Sequence, residues 1–420
     1  MASAAWQTLL MNSASFPQKV SPLAVASVIL SMGLLSIGNG LMFSYIPIQL
    51  SAAGFDPAWA GSILSGMSLG SMAGCLFTNG IVRRVGHARA YMVFTALIIL
   101  SNVTLALGVE PVTWLAARLG YGFAIAALFI ISQSWLNDAV ENRIRGRVMA
   151  VFYITYIMGL GTGSLVLTGL DINANMPPLV SVLLAALSIL PIGLTTLPLP
   201  VAPIAGTISF KRAWAVSPVA LVSMLAVGGM SMLAGGFTPI HLSASGYSKN
   251  EVALLMFAMP IGTLLVQLPA GWISDRFDRR FVLAGCALIS ALAATVCGLF
   301  DGAPLLVLAA FFVLWDGATE SVYSVGNAHA GDRARKEELV ELSATLLFAW
   351  SVSGFLVPGI TTALTSYYGT IAYFPMAIGM SLLLAAFVVW RIVQTGVTSR
   401  HRQAPIAPHG AAAPIVLEHD

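Results

Sequence analysis

Twelve apolar runs dominate this chain of 420 residues, each close to the roughly 20 residues a helix needs to cross the hydrocarbon core of a bilayer. They fall near 23–48, 58–80, 90–108, 112–136, 147–170, 178–198, 217–240, 251–273, 281–300, 303–328, 341–366 and 370–391. In lipid every backbone N–H and C=O must be paired inside the protein, so runs of this length read as helices. Only 9% of the residues are charged and 58% are apolar, against about 25% charged in a soluble domain. A water-facing surface cannot be built from so few charges, so the outer surface faces lipid. The reading is an all-α membrane protein with twelve transmembrane helices.

Placement of the basic residues orients the runs. With twelve helices, both termini and the even-numbered loops share one side. That side holds eighteen of the 20 Lys and Arg residues; the exceptions are Lys249 on the other side and Arg118 inside the fourth run. The positive-inside rule makes the basic side, and both termini, cytoplasmic. Short loops and an Arg-rich composition suggest a bacterial inner membrane. Residues 1–21 hold no apolar core followed by a cleavage site, so the first run reads as a retained helix. Cys75, Cys286 and Cys297 lie in apolar runs with neither metal-ligand nor disulfide spacing. No basic stretch suits nucleic acid, no dinucleotide or phosphate-loop fingerprint is present, and no cofactor or metal is expected.

The chain repeats itself. Pro47-Ile48-Gln49-Leu50-Ser51-Ala52-Ala53-Gly54 returns as Pro239-Ile240-His241-Leu242-Ser243-Ala244-Ser245-Gly246, and the same offset carries Ile81 to Ile273 and Arg84 to Arg276. Chance matching of apolar letters does not hold Pro, Ser and Gly in register. The expected organisation is a cytoplasmic segment 1–21, a six-helix bundle 22–198, a linker 199–216, a second six-helix bundle 217–392 and a disordered tail 393–420. Two pseudo-symmetric bundles of this kind place a solute cavity between them near the bilayer midplane.

The loop Gly271-Trp272-Ile273-Ser274-Asp275-Arg276-Phe277-Asp278-Arg279-Arg280 resembles the signature loop of the major facilitator superfamily (MFS), Gly-x-x-x-Asp-Arg-x-Gly-Arg-Arg, with Asp278 in place of the second Gly. The first-half copy keeps Arg84 and Gly86 but has Asn79 for Gly and Arg83 for the acid. Arg118-Leu119-Gly120-Tyr121-Gly122 resembles a second pattern of the family, and Asn142 to Arg147 resembles YcaD-like permeases within it. The resemblance covers about residues 20 to 392. It implies a transporter with the MFS fold, a coupling role for Arg118, and a cytoplasmic gate formed by Gly271, Asp275, Arg276, Arg279 and Arg84. In that gate Asp275 would meet the N-terminus of the fifth helix, where the helix dipole favours a negative charge, and Arg276 or Arg279 would pair with Asp332. The fifth run has Gly159, Gly161 and Gly163 but no Pro, so it lacks the Gly-Pro pair of the antiporter signature.

Asp316 and Glu320 are the only acids in the interior of the twelve runs. A carboxylate at mid-membrane is costly and faces a cavity or a partner. Four residues apart on a helix, the two share one face and can load and release a proton or cation. A structural acid tied to a neighbouring helix is the alternative. Arg118, the only Lys or Arg in the interior of a run, can bind a carboxylate or snorkel to the interface. Asn39, Gln133, Trp315 and Tyr153 are the expected solute contacts; for tyrosines, interfacial or interhelical packing is the competing role. Gly228-Gly229 and Gly235-Gly236 read as close-packing or bending sites.

The function expected is alternating-access transport of a small solute by a monomer, coupled to protons or another cation, with no nucleotide-binding domain to drive it. Uncoupled uniport and a non-transporting membrane sensor are the alternatives, and an intramembrane enzyme ranks last because the outer loops house no domain.

Overall fold

The computed structural model describes residues 22–140, 142–172, 175–194, 208–335 and 338–396. The expected segment 1–21, the first half of the linker and the end of the tail lie outside these residues. Among the described residues twelve helices are long and apolar enough to cross a membrane: α1 (Leu23–Ala52), α2 (Pro57–Val85), α3 (His87–Ala106), α4 (Pro111–Ala139), α5 (Ile144–Gly169), α6 (Met176–Gly193), α7 (Pro218–Ala244), α8 (Lys249–Ser274), α9 (Arg279–Leu299), α10 (Leu305–Gly331), α11 (Glu341–Tyr368) and α12 (Thr370–Thr395). The described part of the linker is not wholly irregular. Ser209 caps a short helix, Phe210–Val216, whose Arg212 pairs with Glu341 of α11.

The repeat has a conformational cause. Gly54 and Gly246 end α1 and α7 with φ of 77° and 84°, a left-handed region that favours glycine. The flanking hydrogen bonds match as well: Phe55 N–H to Leu50 O and Gly54 N–H to Ser51 O in one half, Tyr247 N–H to Leu242 O and Gly246 N–H to Ser243 O in the other. These are the paired bonds of a glycine helix stop. Asp56 and Ser248, at the same offset, then cap α2 and α8.

Each half is packed through glycines that admit a neighbouring backbone, as expected where no hydrophobic effect drives helix association in lipid. In the first half Gly40 and Gly163 seat α1 against α5, and Gly70 and Gly122 seat α2 against α4. In the second half Gly228 seats α7 against α11, while Gly262 and Gly317 seat α8 against α10. A Cβ at Gly122 would lie 1.9 Å from the Met67 carbonyl oxygen, whereas one at Gly120 would meet only Leu97 Cδ1, at 3.7 Å. Gly122→Ala is therefore expected to cut the yield of folded, monodisperse protein severalfold, with Gly120→Ala near wild type. Size-exclusion profiles of the two variants check this.

Between the halves, the contacts gather at the end opposite the basic loops. Ser51 Oγ donates to Ser243 O across the pseudo-twofold, 3.1 Å apart and 192 residues apart in sequence. Lys249 Nζ, at the start of α8, donates to Thr168 O and Leu170 O at the end of α5, at 3.3 and 2.6 Å. Above the cavity an apolar cluster that includes Leu41, Tyr45, Leu233, Phe237 and Trp315 joins α1, α7 and α10.

Candidate functional site

A cavity of about 370 Å³ lies between the two halves, lined by α1, α2, α4, α5, α7, α8, α10 and α11. The acid pair stands in its wall. Asp316 is 11 residues from the start of α10, about 17 Å down the helix at 1.5 Å per residue, and 8% exposed. Its Oδ2 accepts a hydrogen bond from Thr263 Oγ1 of α8 at 2.9 Å. Glu320 lines the cavity one turn nearer the basic face, beside Tyr323. Tyr153 and Tyr156 of α5, Asn39 of α1 and several serines, among them Ser68, Ser231 and Ser351, add to the polar part of the lining. Asn39 is 2% exposed, and its Oδ1 has no hydrogen-bond partner among the described residues; the same holds for Ser231 Oγ.

The sequence-derived candidates divide into those the fold brings to this cavity and those it does not. Asn39, Tyr153, Asp316 and Glu320 line it. Trp315 does not. It is fully buried with its ring centroid 5.6 Å from Tyr373 and 5.9 Å from Phe374, because one helical step from Asp316 turns it by about 100° toward α12. Gln133 lies on α4, one turn nearer the basic end than the lining residue Ile130, and is not itself in the lining. Arg118 does not snorkel. It is 1% exposed, with its guanidinium 3.8 Å from the Tyr121 ring centroid and Nη2 donating to Met67 Sδ at 3.1 Å. Met67 lines the cavity, so Arg118 stands one layer behind the wall.

The signature loop is engaged within its own half. Arg279, 1% exposed, donates through Nε to Asp332 Oδ2 at 2.7 Å and through Nη1 to Asp275 Oδ1 at 3.2 Å. In this arrangement Asp275 holds Arg279, not the N-terminus of α5 as expected. Arg276 lies 3.6 Å over the Trp272 ring, Gly271 O accepts the Asp275 N–H, and Arg84 is exposed. The departure at Asp278 has a physical reason. Gly86 sits at φ 82°, whereas Asp278 at φ −58° caps α9, accepting from the Arg280 N–H, and its carboxylate pairs with the Arg280 side chain at 2.6 Å.

Several contributors were not read from the sequence. Thr263 is one of many small polar residues in apolar runs, with nothing to mark it. The π-helical turn Met232–Phe237 in α7 is another, and such turns concentrate at functional sites. The Gly235-Gly236 pair was its only signal. It brings Met232 and Gly235 to the cavity, where a Cβ on Gly235 would come 3.9 Å from Asp316 Oδ1 and meet nothing else.

The comparisons with known proteins fit this architecture. The family model of the Major Facilitator Superfamily matches residues 219–416. The MFS-type transporter YcaD of Escherichia fergusonii is 23% identical over 382 residues, which is 89% of this chain and 95% of that one. YcaD of Salmonella typhi is 24% identical over 371 residues, 86% and 94% of the two chains. Among solved structures, the nucleoside transporter NupG superposes with a TM-score of 0.67 at 15% identity, covering 87% of this chain and 99% of that one. The D-xylose-proton symporter gives 0.67 at 14%, covering 88% and 97%. At these identities the structural likeness is one of fold. Family model, similarity along most of the chain and shared fold converge: this chain is similar in sequence to transporters of the Major Facilitator Superfamily and shares their fold, that of a multi-pass membrane protein.

Proposed function

We propose that the chain is a secondary active transporter that moves a small solute by alternating access, with Asp316 and Glu320 binding the proton or cation whose gradient drives it. The observation that carries this reading is the acid pair in the wall of the cavity between two halves whose apolar contacts gather mainly at one end. A carboxylate pair there can be reached from one side of the membrane at a time, which coupling requires. The titratable groups facing the pair are Tyr153 and Tyr156 of α5, Tyr323 of α10 and Cys75 of α2. Asn39 and Tyr153 are assigned as solute contacts. Arg118, behind Met67, is assigned an electrostatic role through the wall. The acting unit is a monomer of two bundles, 22–198 and 217–392, in a bacterial inner membrane with both termini cytoplasmic.

In this reading the conformation described is closed at the outer end. The gate of Gly271, Asp275, Arg276, Arg279 and Arg84 acts in the opposite state, when the cytoplasmic ends meet. Arg83 stands where the first-half copy of the loop would carry its acid, so that gate rests mainly on the second half. Asp275→Asn is then expected to shift the population toward the inward-open state by about two- to fivefold, the scale of one charge at a helix terminus. Higher reactivity of a cysteine placed at the cytoplasmic ends is the readout, and unchanged reactivity contradicts the assignment.

Proteoliposome flux tests the function itself. A solute found by thermal shift, which reports ligands that bind the folded state, is followed with and without an imposed pH gradient. Accumulation that follows the gradient supports the reading; equilibration indifferent to every ion gradient excludes it.

A further inference from the structure

We infer that the solute is a hydrophobic organic cation, an aromatic or alkyl amine or onium ion with one positive charge, whose charged group sits against Asp316 and Glu320. This rests on the carrier reading above and names its solute class. Charge is the first observation. Among the described residues no Arg, Lys or His lines the cavity, and Met67 keeps Arg118 from direct contact with a solute there. Every strongly ionising group a solute can meet there is an acid, so an anion would meet only like charge.

The wall is the second. Phe43, Phe129 and Trp350 present aromatic surface, and Met232, Met256 and Met259 add flexible thioethers. Aromatic faces attract cations, and methionines repack around apolar ligands of differing shape. Most of the wall's surface is apolar, so a polyol, with a hydroxyl on nearly every carbon, would leave many of them facing groups that cannot pair with them.

Unused acceptors and open space are the third. Asn39 Oδ1 and Ser231 Oγ, on side chains 2% and 6% exposed, have no hydrogen-bond partner among the described residues. They are independent of the acid pair and suited to the N–H or polarised C–H groups around a cationic nitrogen. Thr263 occupies Asp316 Oδ2, while the missing side chain at Gly235 leaves room before Oδ1. The π-turn of α7 thus opens the space that a cationic head group would fill.

A proton and the cation then compete for the same carboxylates. When the cation binds, a protonated carboxyl gives its proton to water and the cation replaces it as the counter-charge, so binding weakens as the pH falls.

The test uses the purified full-length protein and two probes of nearly equal size and shape, tetraphenylphosphonium and tetraphenylborate, each corrected against protein-free micelles. Expected is saturable phosphonium binding at least tenfold tighter than borate binding, weaker at acid pH, and reduced tenfold or more by Asp316→Asn and by Glu320→Gln. The comparison of the two probes is made on the unaltered chain, so it requires no variant to fold. Borate binding as tight as phosphonium binding overturns the inference, as does phosphonium binding unchanged in both variants. The pH dependence of Cys75 alkylation, measured without either probe and divided by that of Asp316→Asn/Glu320→Gln so that the thiol's own ionisation cancels, reports coupled switching by itself. If it persists while the phosphonium fails to bind, the solute class is wrong and the carrier reading stands; if both are lacking, both fall.

Discussion

Asp316→Asn is expected to abolish gradient-driven accumulation while counterflow persists at solute concentrations raised to offset its weaker binding. The expected size follows from the gradient. One pH unit is worth about 1.4 kcal/mol per proton, so a carrier coupled to one proton builds about a tenfold solute ratio per unit, and one coupled to two builds about a hundredfold ratio. A variant that moves solute but no longer carries the proton ends at a ratio near one. Asn suits the test because its amide oxygen can still accept the Thr263 hydroxyl that Asp316 Oδ2 now accepts at 2.9 Å. The wall stays intact and only the ionisable group is lost. Steady-state ratios in proteoliposomes, with the membrane potential clamped to zero, give the comparison. A variant that accumulates solute as wild type does removes Asp316 from the coupling path.

The second large effect belongs to Lys249. It begins α8, where the helix dipole favours an acid over a base, and Glu251 completes a capping box there with Ser248. The charge is poorly placed for its own helix, and its hydrogen bonds run to the last carbonyls of α5, the negative end of a helix in the other half. Removing it costs little within α8 and acts on the closed outer end. Charge-assisted hydrogen bonds contribute about 1.5–3 kcal/mol when buried, less when half-exposed. A net loss of about 1–2 kcal/mol shifts a two-state equilibrium about five- to thirtyfold. In Lys249→Met, which keeps the aliphatic stem, Cys75 should react faster with an impermeant maleimide added on the side opposite the basic loops, and more slowly from the basic side. Cys286 and Cys297 are buried and give little background. Equal rates in the two proteins would show that Lys249 does not hold the outer end closed.

How much of this was legible in the sequence depended on the kind of signal. Helix number and the pairing of the halves were open to reading, because lipid imposes length on every span and the repeat keeps glycines whose positive φ no other residue adopts readily, Gly54 and Gly246. Asp316 and Glu320 stood out because charge is scarce inside apolar runs. What resisted reading was rotation about each helix axis. A span that is apolar on all sides carries no amphipathic phase, so Trp315 and Asp316, neighbours in sequence, could not be told apart as core and cavity. Gln133 and Arg118 show the same limit: a polar residue marks a helix as interesting without fixing what it faces. Long-range partners were equally silent. Lys249 looked like an exception to the charge segregation, and only the fold shows the carbonyls it meets.

The central claim is that the two halves close and open around the acid pair, and that the ions this pair binds set the balance. Ala52 and Ala244 are exposed residues related by the repeat, next to the Ser51–Ser243 contact at the closed end. Spin labels on Ala52→Cys and Ala244→Cys, in a background without the native cysteines, report that end by pulsed dipolar spectroscopy. The prediction is a short distance and a second, longer one whose populations change with pH in wild type and no longer do so in Asp316→Asn/Glu320→Gln. A single short distance at every pH, or an identical pH response in the variant without the acids, would contradict it.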